Sequence, residues 1–427
     1  MAERPKQIHI PDLAEPVLDA RQKAVLAATR NIPVSFAEEA VLEDARRRTG
    51  LSDFGPPDFR SRLRVWLRSV EEDDNLSSVG RLGVYSDIVR YASTRLRVED
   101  LVQRHPEVLD IEIERPIIIV GLPRSGTTHL LNLISADQRL RSLPYWESLE
   151  PVAVPGEEPG PDGLDPRHRR CRENFERSDG LLPHLRAMHH MTPEHVHEEI
   201  ELQAADFSSY VLEWVAHVPR LRDEYLAQDQ TSSYAYMKKV LKACQWQRGP
   251  ERWILKSPQH LEQLGPLYET FPDATFALTA RDPVSVIAST VTMCAYGSRI
   301  RCNWVDMAGL AEYWIDRIET LLRRYVRDRD LLPESQCIDV PFDEFIADDV
   351  GMVERVYERA GHPMTAPARQ QLEAFMAANP RGRYGRVVYD LKRDFGIDPD
   401  QLRERFDFYF DRFPVRVESH AGRGAET

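Results

Sequence analysis

Residues 116–132 constrain this chain more than any other stretch: Pro-Ile-Ile-Ile-Val-Gly-Leu-Pro-Arg-Ser-Gly-Thr-Thr-His-Leu-Leu-Asn. Ile117–Val120 is a short, continuous, β-branched run, the pattern of a strand buried on both faces of a parallel sheet. Residues 121–128 make a tight loop, and the apolar positions from Leu130 onward start a helix. Strand, glycine-containing loop and helix N-terminus form an anion cradle, because unpaired amides and the helix dipole both favour negative charge there. Gly121 and Gly126 take the two glycine positions of a Walker A loop, but Thr127-Thr128 replaces the Lys-Ser/Thr pair that should follow. The cation stands two residues before the second glycine instead, as Arg124.

The remaining sequence is compatible with an α/β enzyme. A chain of 427 residues with 42% hydrophobic content buries one large core or two modest ones. Its net charge of −13 argues against binding nucleic acid through bulk electrostatics, so any anionic ligand needs a local basic pocket. Five cysteines without a C-x-x-C pair suit a reducing compartment and argue against a disulfide or zinc framework. The first residues lack the apolar core of a signal peptide, and no apolar run approaches membrane-spanning length. A cytoplasmic protein without a transmembrane segment is the expectation.

Four regions follow from the pattern: a polar arm at 1–20, a helical extension at 21–110, a catalytic domain at 111–415 and a disordered tail at 416–427. Leu63, Trp66 and Leu67 share one helix face in the extension. Proline and glycine density makes 151–163 a loop, and Thr192-Pro193-Glu194 reads as the start of a long helix reaching about Val215. Apolar positions from Met307 to Tyr325 hold helical spacing. Short apolar runs at 253–255, 275–279 and 337–340 join Ile117–Val120 as about four parallel strands of a β-α-β series. The fold class expected is α/β, a P-loop NTPase-like parallel sheet flanked by helices, with an N-terminal helical extension.

Pro123-Arg124-Ser125-Gly126-Thr127-Thr128 resembles the 5′-phosphosulfate loop of the sulfotransferases that use 3′-phosphoadenosine 5′-phosphosulfate (PAPS), which reads Pro-(Arg/Lys)-Ser-Gly-Thr-Thr. The chemistry agrees with the displaced cation. Sulfuryl transfer breaks an S–O bond and needs no magnesium, so it calls for a cation and hydroxyl donors on the leaving nucleotide rather than a Walker lysine. The resemblance implies that Arg124, Ser125, Gly126, Thr127 and Thr128 bind PAPS as co-substrate. It also implies that Arg281, after the strand at 275–279, and Ser289, eight residues later, hold its 3′-phosphate. Lys256, at the end of the strand at 253–255, is the expected stabiliser of the sulfuryl group or bridging oxygen. In cytosolic sulfotransferases the catalytic histidine lies two residues after that lysine; here Pro258 stands there, and His260 is the displaced candidate. The partial G-x-x-G match at Arg381–Arg386 is a nucleotide clasp or a solvated turn.

The acceptor hydroxyl must lose a proton, which requires a base. Glu147 takes first place, because carbohydrate- and tyrosine-directed sulfotransferases place a glutamate at a similar point. His260 and His190 remain alternatives. The segment 185–201, with His189, His190, His195, His197, Glu194, Glu198 and Glu199, invites a metal reading but lacks the second histidine of H-E-x-x-H. The reaction expected is sulfuryl transfer from PAPS to a hydroxyl of a small lipid-like or carbohydrate acceptor, releasing PAP. Two rivals stay open: a P-loop kinase or NTPase, which would need a Walker lysine and a metal-binding carboxylate, and a catalytically silent PAP-binding protein.

Overall fold

The computed structural model describes residues 5–249 and 252–418. Its centre is a four-stranded parallel sheet of β2 (Ile117–Val120), β3 (Ile254–Lys256), β4 (Thr275–Ala280) and β5 (Cys337–Pro341), in spatial order β3-β2-β4-β5. Ile118 and Val120 of β2 join an apolar cluster on one face of the sheet, while Ile117 and Ile119 join a second cluster on the other. Helices cover both faces, which is why the strand reads as an unbroken apolar run. Burial of each such side chain stabilises the fold by about 1.5–3 kcal/mol.

Chain order places the ligand crevice. From β2 the chain crosses to β3 on one side and then to β4 on the other, so a topological switch point lies at the carboxyl end of β2. The loop after β2, Lys256 at the end of β3, Arg281 after β4 and Phe342 after β5 all meet this edge.

Ahead of the sheet come α1 (Ala20–Thr29), α2 (Glu38–Thr49), α3 (Phe59–Glu72) and α4 (Ser78–Arg104). Leu63, Trp66, Val84 and Ile88 from α3 and α4 share a core with Phe207, Leu212 and Val218, so the extension packs on the segment that follows residue 200. The arm is anchored by β1 (Gln7–Ile8), which pairs in parallel with β6 (Arg386–Val387), and by an ion pair of Asp12 with Arg299 at 3.1 Å. Of the tail expected from 416, residues 416–418 run over Arg281 and Asp282, and 419–427 lie outside the described residues.

The long helix expected from Thr192 is absent. Val196 instead forms an antiparallel bridge with Pro144, and the Asn132 side chain holds both its N–H and its carbonyl, at 3.2 and 3.3 Å. Only Ile200–Ala204 and a 3-10 turn at Tyr210–Trp214 are helical, separated by Phe207 at φ +53°. Side-chain bonds to this backbone, from residues distant in sequence, replace the helical ladder. No helix among the described residues is long and apolar enough to cross a membrane.

Candidate active site

The loop between β2 and the following helix, α5 (Thr127–Ile134), is held close to β4. A Cβ on Gly121 would lie 1.8 Å from Thr279 Oγ1, so only glycine admits this approach. Gly126 adopts φ +88° at the helix N-cap, where a side chain would be strained, and no side chain caps α5. Its first amides are therefore left for an anion. Arg124 sits at φ +65°, a conformation costing about 1–3 kcal/mol that neighbouring bonds support. Arg124 Nε donates to Ser289 Oγ at 2.8 Å, and the Arg124 carbonyl accepts from Arg281 Nη1 at 2.6 Å.

The bonds divide the predicted loop residues into two groups. Thr127 and Thr128 line a cavity of about 520 Å³ together with Arg124, Gly126 and Arg281. Ser125 does not: it is buried, its Oγ bonds the Leu122 carbonyl at 2.6 Å and Thr279 Oγ1 at 2.8 Å, and its amide also goes to Leu122. It braces the loop rather than offering a hydroxyl to a ligand. Ser289 is likewise buried outside the cavity lining and holds Arg124 in place, so it reaches an anion only through that arginine. Arg281 stacks its guanidinium 3.9 Å from the Phe342 ring centroid and bonds both Glu418 carboxylate oxygens, at 2.7 and 3.0 Å.

Lys256 is buried and lines neither cavity itself, but it touches residues that do. Its Nζ is 3.2 Å from Thr128 Oγ1 and contacts Glu198 Oε1, while its amide donates to Glu199 Oε2 at 2.9 Å. Glu198 and Thr128 both line the second cavity, of about 380 Å³, whose walls include Ile88, Ile200, Val211, Leu212 and Met293. Arg124, Thr127, Thr128 and His189 border both spaces. A basic, hydroxyl-bearing cavity thus adjoins an apolar one, and Lys256 stands behind their shared wall, bonded to Thr128 and to Glu198 of the apolar cavity.

Two expected catalytic groups stand elsewhere. Glu147 is fully buried and lines neither cavity; its oxygens bond Arg141 Nη2 and Arg248 Nη2, each at 2.7 Å. Both carboxylate oxygens are thus committed to guanidiniums, away from either cavity. His260 is also fully buried, with Nδ1 2.8 Å from the Tyr234 hydroxyl and Nε2 2.7 Å from Glu199 Oε1. Both ring nitrogens are occupied, and through Glu199 this histidine supports the backbone of Lys256. Glu198, read in the sequence only as part of a histidine-rich cluster, is the carboxylate that lines the apolar cavity and meets Lys256. Its position directly before Glu199 offered no means of separating the two roles.

The histidine cluster lines the site without forming a metal centre: among the described residues, no group of three or more His, Cys, Asp or Glu could hold a metal ion. Burial, followed by neighbouring cations and imidazoles, lowers the pKa of His189 and His197 well below the ordinary value. Burial and then Lys256 bring His195 down to about 3. These rings stay neutral at pH 7 and add no charge to the basic cavity. Unfolded imidazole takes up a proton near pH 6.5 and folded His195 does not, so the unfolded state binds more protons in this window. Stability should therefore fall as pH drops below about 6.5. His195→Gln should flatten that acid slope in thermal melts, and an unchanged slope would remove His195 as a contributor.

Comparison with known proteins agrees with this geometry. The sequence model described as "Sulfotransferase family" matches residues 116–366, more than half of the chain. The chain belongs to the sulfotransferase family. Relatives include the omega-hydroxy-beta-dihydromenaquinone-9 sulfotransferase Stf3 of Mycobacterium bovis, 26% identical over 255 residues, 58% of this chain and 62% of that protein. The match thus spans about three fifths of that curated relative's length. Among solved sulfotransferase structures, STF1 of Mycobacterium tuberculosis aligns with TM-score 0.74 at 25% identity, over 88% of this chain and 99% of its own. STF9 of Mycobacterium avium aligns with TM-score 0.79 at 25% identity, over 91% and 98%. Both alignments cover more of this chain than the family match does.

Proposed function

We propose that this chain transfers the sulfuryl group of PAPS to the hydroxyl of a small, lipid-like acceptor and releases PAP. The observation that carries the reading is a basic cavity sharing Arg124, Thr127 and Thr128 with an apolar one, where Glu198 lines the apolar side and pairs with Lys256 behind the shared wall. The first cavity suits the donor: an uncapped helix N-terminus, Arg124, Thr127 and Thr128 receive the 5′-phosphosulfate, and Arg281 receives the 3′-phosphate. Its lack of a Walker lysine disfavours a nucleoside triphosphate. Ile88, Ile200, Val211, Leu212 and Met293 in the second cavity suit the body of an apolar alcohol. The name of the Stf3 relative, an ω-hydroxylated menaquinone sulfotransferase, points the same way.

In this reading the acceptor oxygen attacks sulfur while Glu198 takes its proton. The S–O bond to the nucleotide breaks, and its electron pair stays on the 5′-phosphate oxygen of PAP. Lys256, Arg124, Thr127 and Thr128 stabilise the charge that develops there, where fixed donors in a water-poor site are most effective. Lys256 contacts Glu198, which ties the acceptor side of the site to the residue that meets the leaving group. The test is PAP release from PAPS with a panel of phenols, sterols, sugars and hydroxylated lipids, in the presence of EDTA. Release that depends on magnesium, or only with sugars, would count against the reading.

The 3′-phosphate assignment makes its own prediction. Arg281→Ala should weaken PAP binding about 10- to 150-fold, the worth of a charged hydrogen bond, and spare adenosine 5′-phosphosulfate, which lacks the 3′-phosphate. Glu418 bonds the same guanidinium and must leave it when a phosphate arrives. Glu418→Gln should therefore tighten PAP binding by up to about 5-fold, as expected for a partly exposed ion pair. Equal weakening of both nucleotides by Arg281→Ala would remove Arg281 from the 3′-phosphate site.

A further inference from the structure

The charged lining of the apolar cavity consists of Asp87, Arg90, Arg124, Glu198, Glu201 and Arg301. Most of these charges are matched within the protein. Arg90 pairs with Asp87 at 3.1 Å and Glu201 at 3.0 Å, Tyr91 donates to Glu201 at 2.9 Å, and Glu198 pairs with Lys256. Arg124 and Arg301 have no carboxylate partner among the described residues. The first is accounted for by the donor. The second is not.

Arg301 is the last residue of the helix Pro283–Arg301 and is half-buried in the wall between the apolar cavity and a smaller one. No hydrogen bond or ion pair of its guanidinium is found among the described residues. Four carboxylates around the smaller cavity are engaged otherwise, Glu72 with Arg220, Glu213 with Arg317, Asp73 with the amides of Asn75 and His217, and Asp306 with the amide of Gly309, while the fifth, Asp74, is exposed and makes no ion pair with Arg301. Burial pulls Arg301 below the ordinary arginine range, offset only by the thiols of Cys294 and Cys302. A cation is favoured at a helix C-terminus, but Arg299 stands in the same turn and is paired with Asp12, so that need does not explain a second, inward guanidinium.

Gly297 leaves room for this side chain. Gly297, one turn earlier, also lines the apolar cavity, and a Cβ there would lie 2.1 Å from Arg301 Nη2. Any other residue would displace the guanidinium from the wall. Trp214, Val215, Cys294 and Arg301 border the smaller cavity, whereas Arg124, Thr127, Thr128 and His189 border the donor cavity. The unmatched arginine therefore belongs to the side of the acceptor space away from the phosphosulfate loop.

We infer that the acceptor is an anionic amphiphile, its hydroxyl at Glu198 and a carboxylate-type head on Arg301. The inference rests on the apolar cavity being the acceptor site. An uncompensated guanidinium in such a wall discriminates strongly, because a charged head gains a fork of donors and a neutral one leaves the cation unpaired.

The test uses two apolar bodies, ω-hydroxydodecanoate and a hydroxylated cholanoic acid, each beside its methyl ester. Binding to the full chain is measured by calorimetry with and without PAP. At least one acid should bind about 10- to 100-fold more tightly than its ester. Arg301→Gln should abolish that preference and leave ester affinity unchanged, while Arg301→Lys should retain part of it. Equal binding of acid and ester, binding of neither pair, or a preference that survives Arg301→Gln would overturn the inference. Nucleotide binding by the same protein reports on the donor site separately, so loss of the acid preference with PAP still bound would leave the transfer reading intact.

Discussion

Lys256→Ala is expected to lower the rate of PAP formation about 10²- to 10³-fold, the usual cost of removing one donor aimed at a developing oxyanion. The lysine Nζ already meets Thr128 Oγ1 at 3.2 Å, so the two act on the same side of the phosphosulfate loop. The effect should fall on kcat, with acceptor KM little changed, because the charge on the leaving oxygen appears only in the transition state. Lys256→Arg keeps the charge but places a planar fork where a compact ammonium belongs, and should recover only part of the rate. A Lys256→Ala enzyme that loses acceptor affinity but keeps its kcat would assign this residue to binding.

Glu198→Gln is expected to cost about 10²- to 10⁴-fold in rate, the range for a positioned general base. It preserves the shape of the side chain and removes its charge; because buried Lys256 then loses its partner, the rate is compared per folded molecule, and PAP affinity should not fall. The comparison that gives this result its force is Glu147→Gln. Glu147 is buried between Arg141 and Arg248, and removing its charge leaves a buried guanidinium uncompensated. That variant should lose about 3–5 kcal/mol of stability while each folded molecule keeps its activity. Reversed behaviour, with an active Glu198→Gln and an inactive but stable Glu147→Gln, would return the base to Glu147.

The contrast between the two glutamates shows where reading the chain alone stops. The strand Ile117–Val120, the glycine positions of the loop and the strand-end placement of Lys256 and Arg281 were legible because each is a local pattern with a physical cause: β-branched burial, positive φ, or a carboxyl-terminal sheet edge. The role of a glutamate is not local. Glu147 is bound by Arg248, 101 residues away, and Glu198 meets Lys256 across 58 residues. Adjacent Glu198 and Glu199 have the same chemistry in sequence, yet one faces a cavity and the other is sealed against His260. The same cause undid the helix expected from Thr192, where Asn132 bonds the backbone of Val196 from 64 residues away. The unmatched charge of Arg301 was equally hidden, since an arginine at a helix end reads as an ordinary dipole partner until its surroundings are known.

The central claim is that the loop after β2 and Arg281 together bind a nucleotide bearing phosphates at both its 3′ and 5′ positions, with no metal ion between them. Calorimetry with PAP, ADP and ATP, each without and with magnesium, tests it before any acceptor is known. PAP should bind most tightly, ADP about 10- to 150-fold more weakly for want of the 3′-phosphate contact, and magnesium should improve neither. Tighter binding of ATP than of PAP, appearing only with magnesium, would contradict it.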